Sequence, residues 1–225
     1  STETAEENTS DHSDNDADAK EPEKVTIYYV TDEQQQSQYI NMFKEEGLDA
    51  VLLTHNIDSP FITQLEQRNE NVQFQRIDAD LTDHFKEEVA KEDEETFKSN
   101  TETLTDIFRK ALNNEKLEVK VEKLKNENVA SMVTLSEQSR RMQEMMKMYN
   151  MYGMDAGMFG TDVTLVLNAN HPLVQYVLNN KDGEHVNLFC QQLFDLAMLS
   201  NKPLNPEEMT AFISRSNEIM MLLTK

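Results

Sequence analysis

Three short runs with strand character alternate with two helical stretches between residues 25 and 77. Val25–Val30 reads VTIYYV, a β-branched and aromatic run that suits a pleated, half-buried surface. Residues 33–46 read as a helix, with Asp32 as its N-cap and Gly47 as its stop. Residues 49–53 (DAVLL) make a second short apolar strand. Asp58, Ser59 and Pro60 open another helix, since a proline in the first turn loses no hydrogen bond. Residues 72–77 alternate Val, Phe and Ile with Gln, Gln and Arg, a third strand. This βαβαβ order predicts a small α/β layered domain with a mainly parallel sheet.

The remainder reads differently. Residues 80–112 look helical, with Glu87, Glu88, Glu92, Asp93, Glu94 and Glu95 as a solvated acidic stretch and Thr103 with Asp106 as a cap-like pair. Residues 117–124 alternate as a half-exposed strand, and 129–135 reads as its partner. Thr134 with Glu137 forms a capping box for a following helix. A strand over 162–167 is followed by helices near 171–179, 185–200 and 206–223. The last of these carries Asn205, Pro206 and Glu208 as cap, first-turn proline and capping-box acid. The organisation is then an acidic, disordered segment (1–24), a small α/β unit (25–98) and an α+β unit (99–225) ending in a helix pair.

Charge and composition narrow the function. With 21 Lys and Arg against 42 Asp and Glu, the net charge is -21, and no run of four basic residues occurs. A nucleic-acid or acidic-membrane binder needs a basic footprint, so neither partner is expected. No stretch approaches the roughly 20 apolar residues of a membrane helix. The single cysteine, Cys190, excludes an internal disulfide and fits a reducing, cytoplasmic compartment. Residues 1–24 hold nine Asp and Glu, two Lys and no apolar side chain larger than Ala, which is no signal peptide. Asp14, Asp16 and Asp18 mimic a calcium loop, but Ala19 and Val25 stand where the turn glycine and the bidentate Glu belong. A start at Ser1 hints at a piece of a longer chain.

Seven of the 13 methionines fall between Met142 and Met158. Met142, Met145, Met146, Tyr149 and Tyr152 follow helical 3/4 spacing, Met148 broadens that face, and Met151 lies nearly opposite Met142. Arg140, Arg141 and Lys147 sit alongside, and Gly153, Gly157 and Gly160 follow. One reading is a core helix with Met filling gaps. The other is an adaptable surface for varied apolar partners, because unbranched, polarizable Met repacks against many shapes.

In the last helix Met209, Phe212, Ile213, Met220 and Leu223 share a face, Ser216 interrupts it and Ile219 widens it. In the helix before, Val186, Phe189, Cys190, Leu193, Phe194 and Ala197 are apolar over more than half the circumference. Two such helices at a chain end either pack on their own domain or meet the same pair from a twofold partner as a four-helix bundle.

Enzyme signatures are sparse. Thr31, Asp32 and Glu33 follow the first strand without a phosphate-loop glycine, and GxSxG, HExxH and CxxC are absent. His185 and Cys190 are five apart, off one helical face, and Cys190 reads as a core thiol. Asp32, His55, Asp78 and Asp80 cluster at strand ends, where α/β sheets bind ligands, but such residues more often serve as caps and turns.

Several segments together resemble the bacterial form of the heat-shock protein 90 chaperone family. They are Ile27-Tyr28-Tyr29-Val30-Thr31, the turn and strand from Gly47 to Leu53, Asn56-Ile57-Asp58, and Arg140-Arg141-Met142 with Met145, Met146 and Met148. The most specific is Leu167-Asn168-Ala169-Asn170-His171-Pro172-Leu173; Leu193-Phe194-Asp195-Leu196-Ala197 and Ser216-Asn217-Glu218 complete the set. The resemblance covers about residues 25–223, and residues 1–24 match no family segment. It implies the end of the family's middle region plus its C-terminal domain. It implies a homodimer formed by the last two helices through Phe189, Leu193, Phe194, Ala197, Met209, Phe212, Ile213, Ile219, Met220 and Leu223. It further implies contact of partly folded client proteins with Met142, Met145, Met146, Met148, Tyr149, Met151 and Tyr152. ATP and Mg would belong to an N-terminal domain outside this stretch, so no cofactor and no ATP hydrolysis are expected here. The ending Leu222-Leu223-Thr224-Lys225 lacks the acidic tail of the eukaryotic cytosolic forms. A plain dimerisation or adaptor module and a small-molecule enzyme using the strand ends are the alternatives.

Overall fold

A computed structural model describes residues 24–79, 83–136, 141 and 163–224. The first sheet has three parallel strands, β1 (Val25–Val30), β2 (Val51–Leu52) and β3 (Val72–Arg76), in the order β2-β1-β3. Tyr29 pairs with Val51, and Ile27 pairs with Phe74. Helices α1 (Ser37–Glu45) and α2 (Asp58–Arg68) form the crossovers, as the alternating pattern predicts. Gly47 ends α1 with φ of 66°. Its N–H donates to Lys44 O and the Leu48 N–H to Phe43 O, the paired bonds of a left-handed C-terminal cap.

Helix α1 starts later than its sequence suggests. Asp32 Oδ1 accepts from the N–H groups of Gln34 and Gln35, so it caps a turn over 33–36 and is not the helix N-cap. The side chain of Gln36 then folds back, and its Oε1 accepts from the N–H groups of Thr31 and Asp32.

The helix expected over 80–112 is also shorter. Residues 83–85 form one 3-10 turn, Lys86 bridges Leu124, and α3 runs over Glu94–Ala111. Burial of Phe85 and the bonds Glu87 N–H to Lys123 O and Lys125 N–H to Phe85 O hold this stretch extended against the second sheet. Thr103 is therefore not a cap: it lies within α3, where its hydroxyl donates to Ser99 O.

The second sheet contains β4 (Glu118–Glu122), β5 (Ser131–Leu135) and β6 (Val163–Asn168) in the order β4-β6-β5. The expected pairing of 117–124 with 129–135 does not occur. Strand β6 lies between them, parallel to β4 and antiparallel to β5. The reason is burial: β6 is covered from Thr164 to Asn168 and takes the centre, whereas β4, with Glu118, Lys120 and Glu122, stays at an edge. Thr134 stands in β5 opposite Thr164 and so does not cap a helix; its expected partner Glu137 is outside the described residues.

Three helices close the chain: α4 (Pro172–Asn179), α5 (Val186–Leu199) and α6 (Pro206–Leu222). Asn205 and Glu208 form the predicted capping box, with both reciprocal bonds present. His171 caps α4 by accepting the Leu173 N–H on Nδ1.

Sheet 2 is buried on both faces. Val133, Leu165 and Leu167 face a core with Leu104 and Phe108 of α3, Val174 and Val177 of α4, and Cys190 and Leu193 of α5. Met132 and Val166 face the other way, into a cluster with Val30, Tyr39, Met42, Phe43 and Phe85. The α/β unit thus covers the second face of the α+β sheet. Asn168, fully buried, ties this layer together: its Oδ1 accepts from the Leu124 and Asn170 N–H groups, and its Nδ2 donates to Asn126 O and Val129 O.

Candidate functional site

Helices α5 and α6 pack against each other through a polar cluster. The Arg215 guanidinium pairs with Asp195 and donates to Gln192 Oε1 at 3.1 Å and Gln191 Oε1 at 3.4 Å. Gln192 Nε2 donates to Ser216 Oγ at 2.9 Å, so the serine that interrupts the apolar stripe has a partner on α5. Burial pushes the Asp195 carboxyl above the usual carboxylate range, and Arg215 only partly offsets this.

The predicted interface residues fall into three groups. Leu193 and Ala197 are buried in their own chain's core. Phe189, Phe194, Met209 and Phe212 are half-buried against that core, and Ile219 is half-exposed. Ile213 (52%), Met220 (55%) and Leu223 (84%) are exposed. They are joined by Met221 on α6 and Leu196 on α5, neither of which the stripe analysis selected. Asp195 precedes Leu196 and pairs with Arg215, with 18% of its side chain exposed. Helix α6 buries none of its 17 residues fully.

Met142, Met145, Met146, Met148, Tyr149, Met151 and Tyr152 lie outside the described residues, as do residues 1–23 and Asp80. Arg141, next to Met142, is described and reaches back to α2 and β3.

The described strand-end residues Asp32, His55 and Asp78 each make a local structural bond. Asp78 is buried and holds Arg76 by two bonds, Nε to Oδ1 at 2.6 Å and Nη2 to Oδ2 at 2.5 Å, while Arg76 Nη1 reaches Thr31 Oγ1. Asp58 accepts the His55 N–H at the start of α2. Asp32 serves the turn described above. Among the described residues no group of three or more His, Cys, Asp or Glu is placed to hold a metal ion. Cys190 is a core thiol, as its apolar setting predicts, and burial pushes its pKa up to about 12. No helix among the described residues is long and apolar enough to cross a membrane.

A βαβαβ layer backing a mixed three-stranded sheet, closed by a helix hairpin with an apolar outer side, defines a chain of mixed α/β class. The family model of the Hsp90 protein matches residues 2–225, and the chain belongs to that family. It is 33% identical over 172 residues to the chaperone protein HtpG of Bacteroides fragilis, covering 72% of this chain and 24% of that protein. Against HtpG of Porphyromonas gingivalis the identity is 30% over 165 residues, 70% of this chain and 23% of that protein. HtpG of Psychrobacter arcticus is 26% identical over 211 residues, 87% of this chain and 30% of that protein. The chain thus spans between about a quarter and a third of the length of these bacterial relatives. The family match begins at residue 2, so residues 2–24, which the motif comparison left unmatched, fall within it.

Proposed function

We propose that this chain is the dimerising and client-binding part of an ATP-dependent chaperone. Two copies associate through the outer sides of α5 and α6 as a four-helix bundle, with Leu196, Ile213, Met220, Met221 and Leu223 at the contact. Residues 142–152 hold the surface that partly folded clients touch. ATP and Mg handling belongs to a part of the whole protein outside this stretch, so the chain alone does not hydrolyse ATP, and its setting is the cytoplasm.

One observation carries the dimer reading: a firmly capped 17-residue helix that buries none of its residues fully and leaves Ile213, Met220 and Met221, with Leu223 at its C-cap, in water. Each such side chain recovers roughly 1.5–3 kcal/mol on full burial, so a second copy offering the same surface is strongly favoured. Light scattering after gel filtration tests it. A mass near twice the 26.0 kDa chain is expected, falling to monomer or aggregate when residues 205–225 are removed. A clean monomer for the intact chain at micromolar concentration would sink the reading. For the client surface, Met145→Ser with Met146→Ser is expected to weaken binding of an unfolded protein and leave the mass unchanged.

A further inference from the structure

Among the described residues strand β3 is the outer strand of its sheet, bonded to β1 on one side only. In an extended strand the N–H and C=O of one residue point to the same side, and those on a free edge await another strand. At Phe74 they meet two side chains instead. The N–H donates to Glu66 Oε1 at 2.6 Å, and the C=O accepts from Arg141 Nη2 at 3.2 Å. Glu66 and Arg141 also pair with each other, Nη1 to Oε2 at 2.6 Å and Nη2 to Oε1 at 3.0 Å. Both side chains are mostly covered, and they stand 75 residues apart in the chain. Burial alone would raise the Glu66 carboxyl, but its bonds from Arg141 and the Phe74 N–H outweigh that and hold it below the usual range.

This arrangement suits an arginine specifically. Its planar fork can engage a carboxylate by two bonds and a carbonyl beside it, which a lysine ammonium does with less geometric control. Arg141 is joined through its peptide bond to Met142, the first residue of the Met-rich segment. Holding Arg141 therefore holds the point from which that segment departs.

We propose that Glu66 and Arg141 form a latch that seats the start of the Met-rich segment on the outer edge of β3, where a further strand would otherwise pair. Both act as positioning residues. For its consequence the latch rests on the client reading above: it fixes the residue that immediately precedes the client surface in the chain.

Amide hydrogen exchange on the 225-residue chain tests the latch without any client. Glu66→Arg and Arg141→Glu are each expected to speed exchange at Phe74 and across residues 142–152 by about tenfold, the order lost with a partly buried ion pair. The double exchange re-forms the ion pair but sets a guanidinium against the Phe74 N–H and a carboxylate against its C=O, so it is expected to restore protection across residues 142–152 and not at Phe74. Should charge reversal disturb folding, Glu66→Gln keeps an acceptor for the Phe74 N–H and is expected to speed only residues 142–152, with α5 unchanged. Wild-type exchange at 142–152 in both single variants overturns the latch, as does a rise spread equally over α5 or a failure of the double exchange to restore. Binding of reduced, carboxymethylated α-lactalbumin separates the two ideas. If Met145→Ser with Met146→Ser leaves its affinity unchanged, the client reading fails while the exchange result still decides the latch.

Discussion

The Tyr39 hydroxyl donates a 2.5 Å hydrogen bond to the Val133 carbonyl, joining α1 to the outer strand of the second sheet. Both residues are buried, and among the described residues β5 has no strand beyond it, so a side chain from the other unit satisfies an edge carbonyl that water does not reach. Tyr39→Phe keeps the ring and removes the donor. It is expected to destabilise the chain by about 1–3 kcal/mol, the cost of an unsatisfied buried acceptor, read as a lower urea midpoint with an unchanged slope.

The same bond makes an alkaline prediction. Burial, with the nearby Asp78 charge adding to it, raises the Tyr39 hydroxyl well above the ordinary tyrosine value near 10. The folded state then keeps its proton where the unfolded state has lost it. The stability from this group is complete below about pH 10 and declines as pH rises toward the folded value. Comparing urea midpoints of wild type and Tyr39→Phe from pH 8 to 11 should show the gap between them shrinking at the alkaline end. A constant gap would mean Tyr39 ionises in the folded state as readily as in the unfolded one.

Arg215 holds the closing hairpin from within. Arg215→Met removes the charge that faces Asp195 and leaves a carboxylate whose pKa burial already raises. Breaking one side of such a pair typically costs about 3–5 kcal/mol when buried, and this pair, still partly wetted, should lose about 1–3 kcal/mol. Below the carboxylate's ordinary pKa the loss should shrink, because the protonated Asp195 no longer needs a cation. Thermal unfolding at pH 7 and pH 3.5 checks both parts. An equal loss at the two pH values would show that packing of the long side chain, and not its charge, is what matters.

Gly47 offers a backbone test. Its φ of 66° is strained for any residue with a Cβ, yet a Cβ there would meet nothing within 4 Å. Gly47→Ala should therefore cost about 1 kcal/mol from conformation alone, and Gly47→Asn less, since Asn tolerates this region. Equal stability of all three would show that the chain relaxes out of the left-handed turn.

Much of this fold is legible in the sequence where the signal is local. The order β1-α1-β2-α2-β3 follows from alternating periodicity, the end of α1 from Gly47, and the start of α6 from the Asn205, Pro206 and Glu208 triplet. The two helix ends depend on bonds spanning five residues or fewer, backbone to backbone at Gly47 and side chain to backbone between Asn205 and Glu208. The strand-end aspartates likewise serve as turn and pairing groups, the role their residue type most often has.

Local signals failed where a distant partner sets the outcome. Residues 86–93 carry helix-forming glutamates, but Lys86 and Glu87 bond to the chain near Leu124, and that contact wins over propensity. β4 and β5 look like consecutive partners, but β6, arriving some thirty residues after β5, is the more apolar strand and takes the place between them. Asp195 pairs with Arg215, on a different helix.

The βαβαβ order, the stop at Gly47, the cap at Asn205 and the apolar character of the final two helices were thus determined by the sequence alone, because periodicity and capping act over one or two turns. Which strand stands in the middle, how Tyr39 and Glu66 reach across to Val133 and Arg141, and which apolar side chains of α5 and α6 stay uncovered were decided only by the tertiary structure. Those outcomes depend on burial shared among segments tens of residues apart, and burial is a property of the packed chain that no short window of sequence contains.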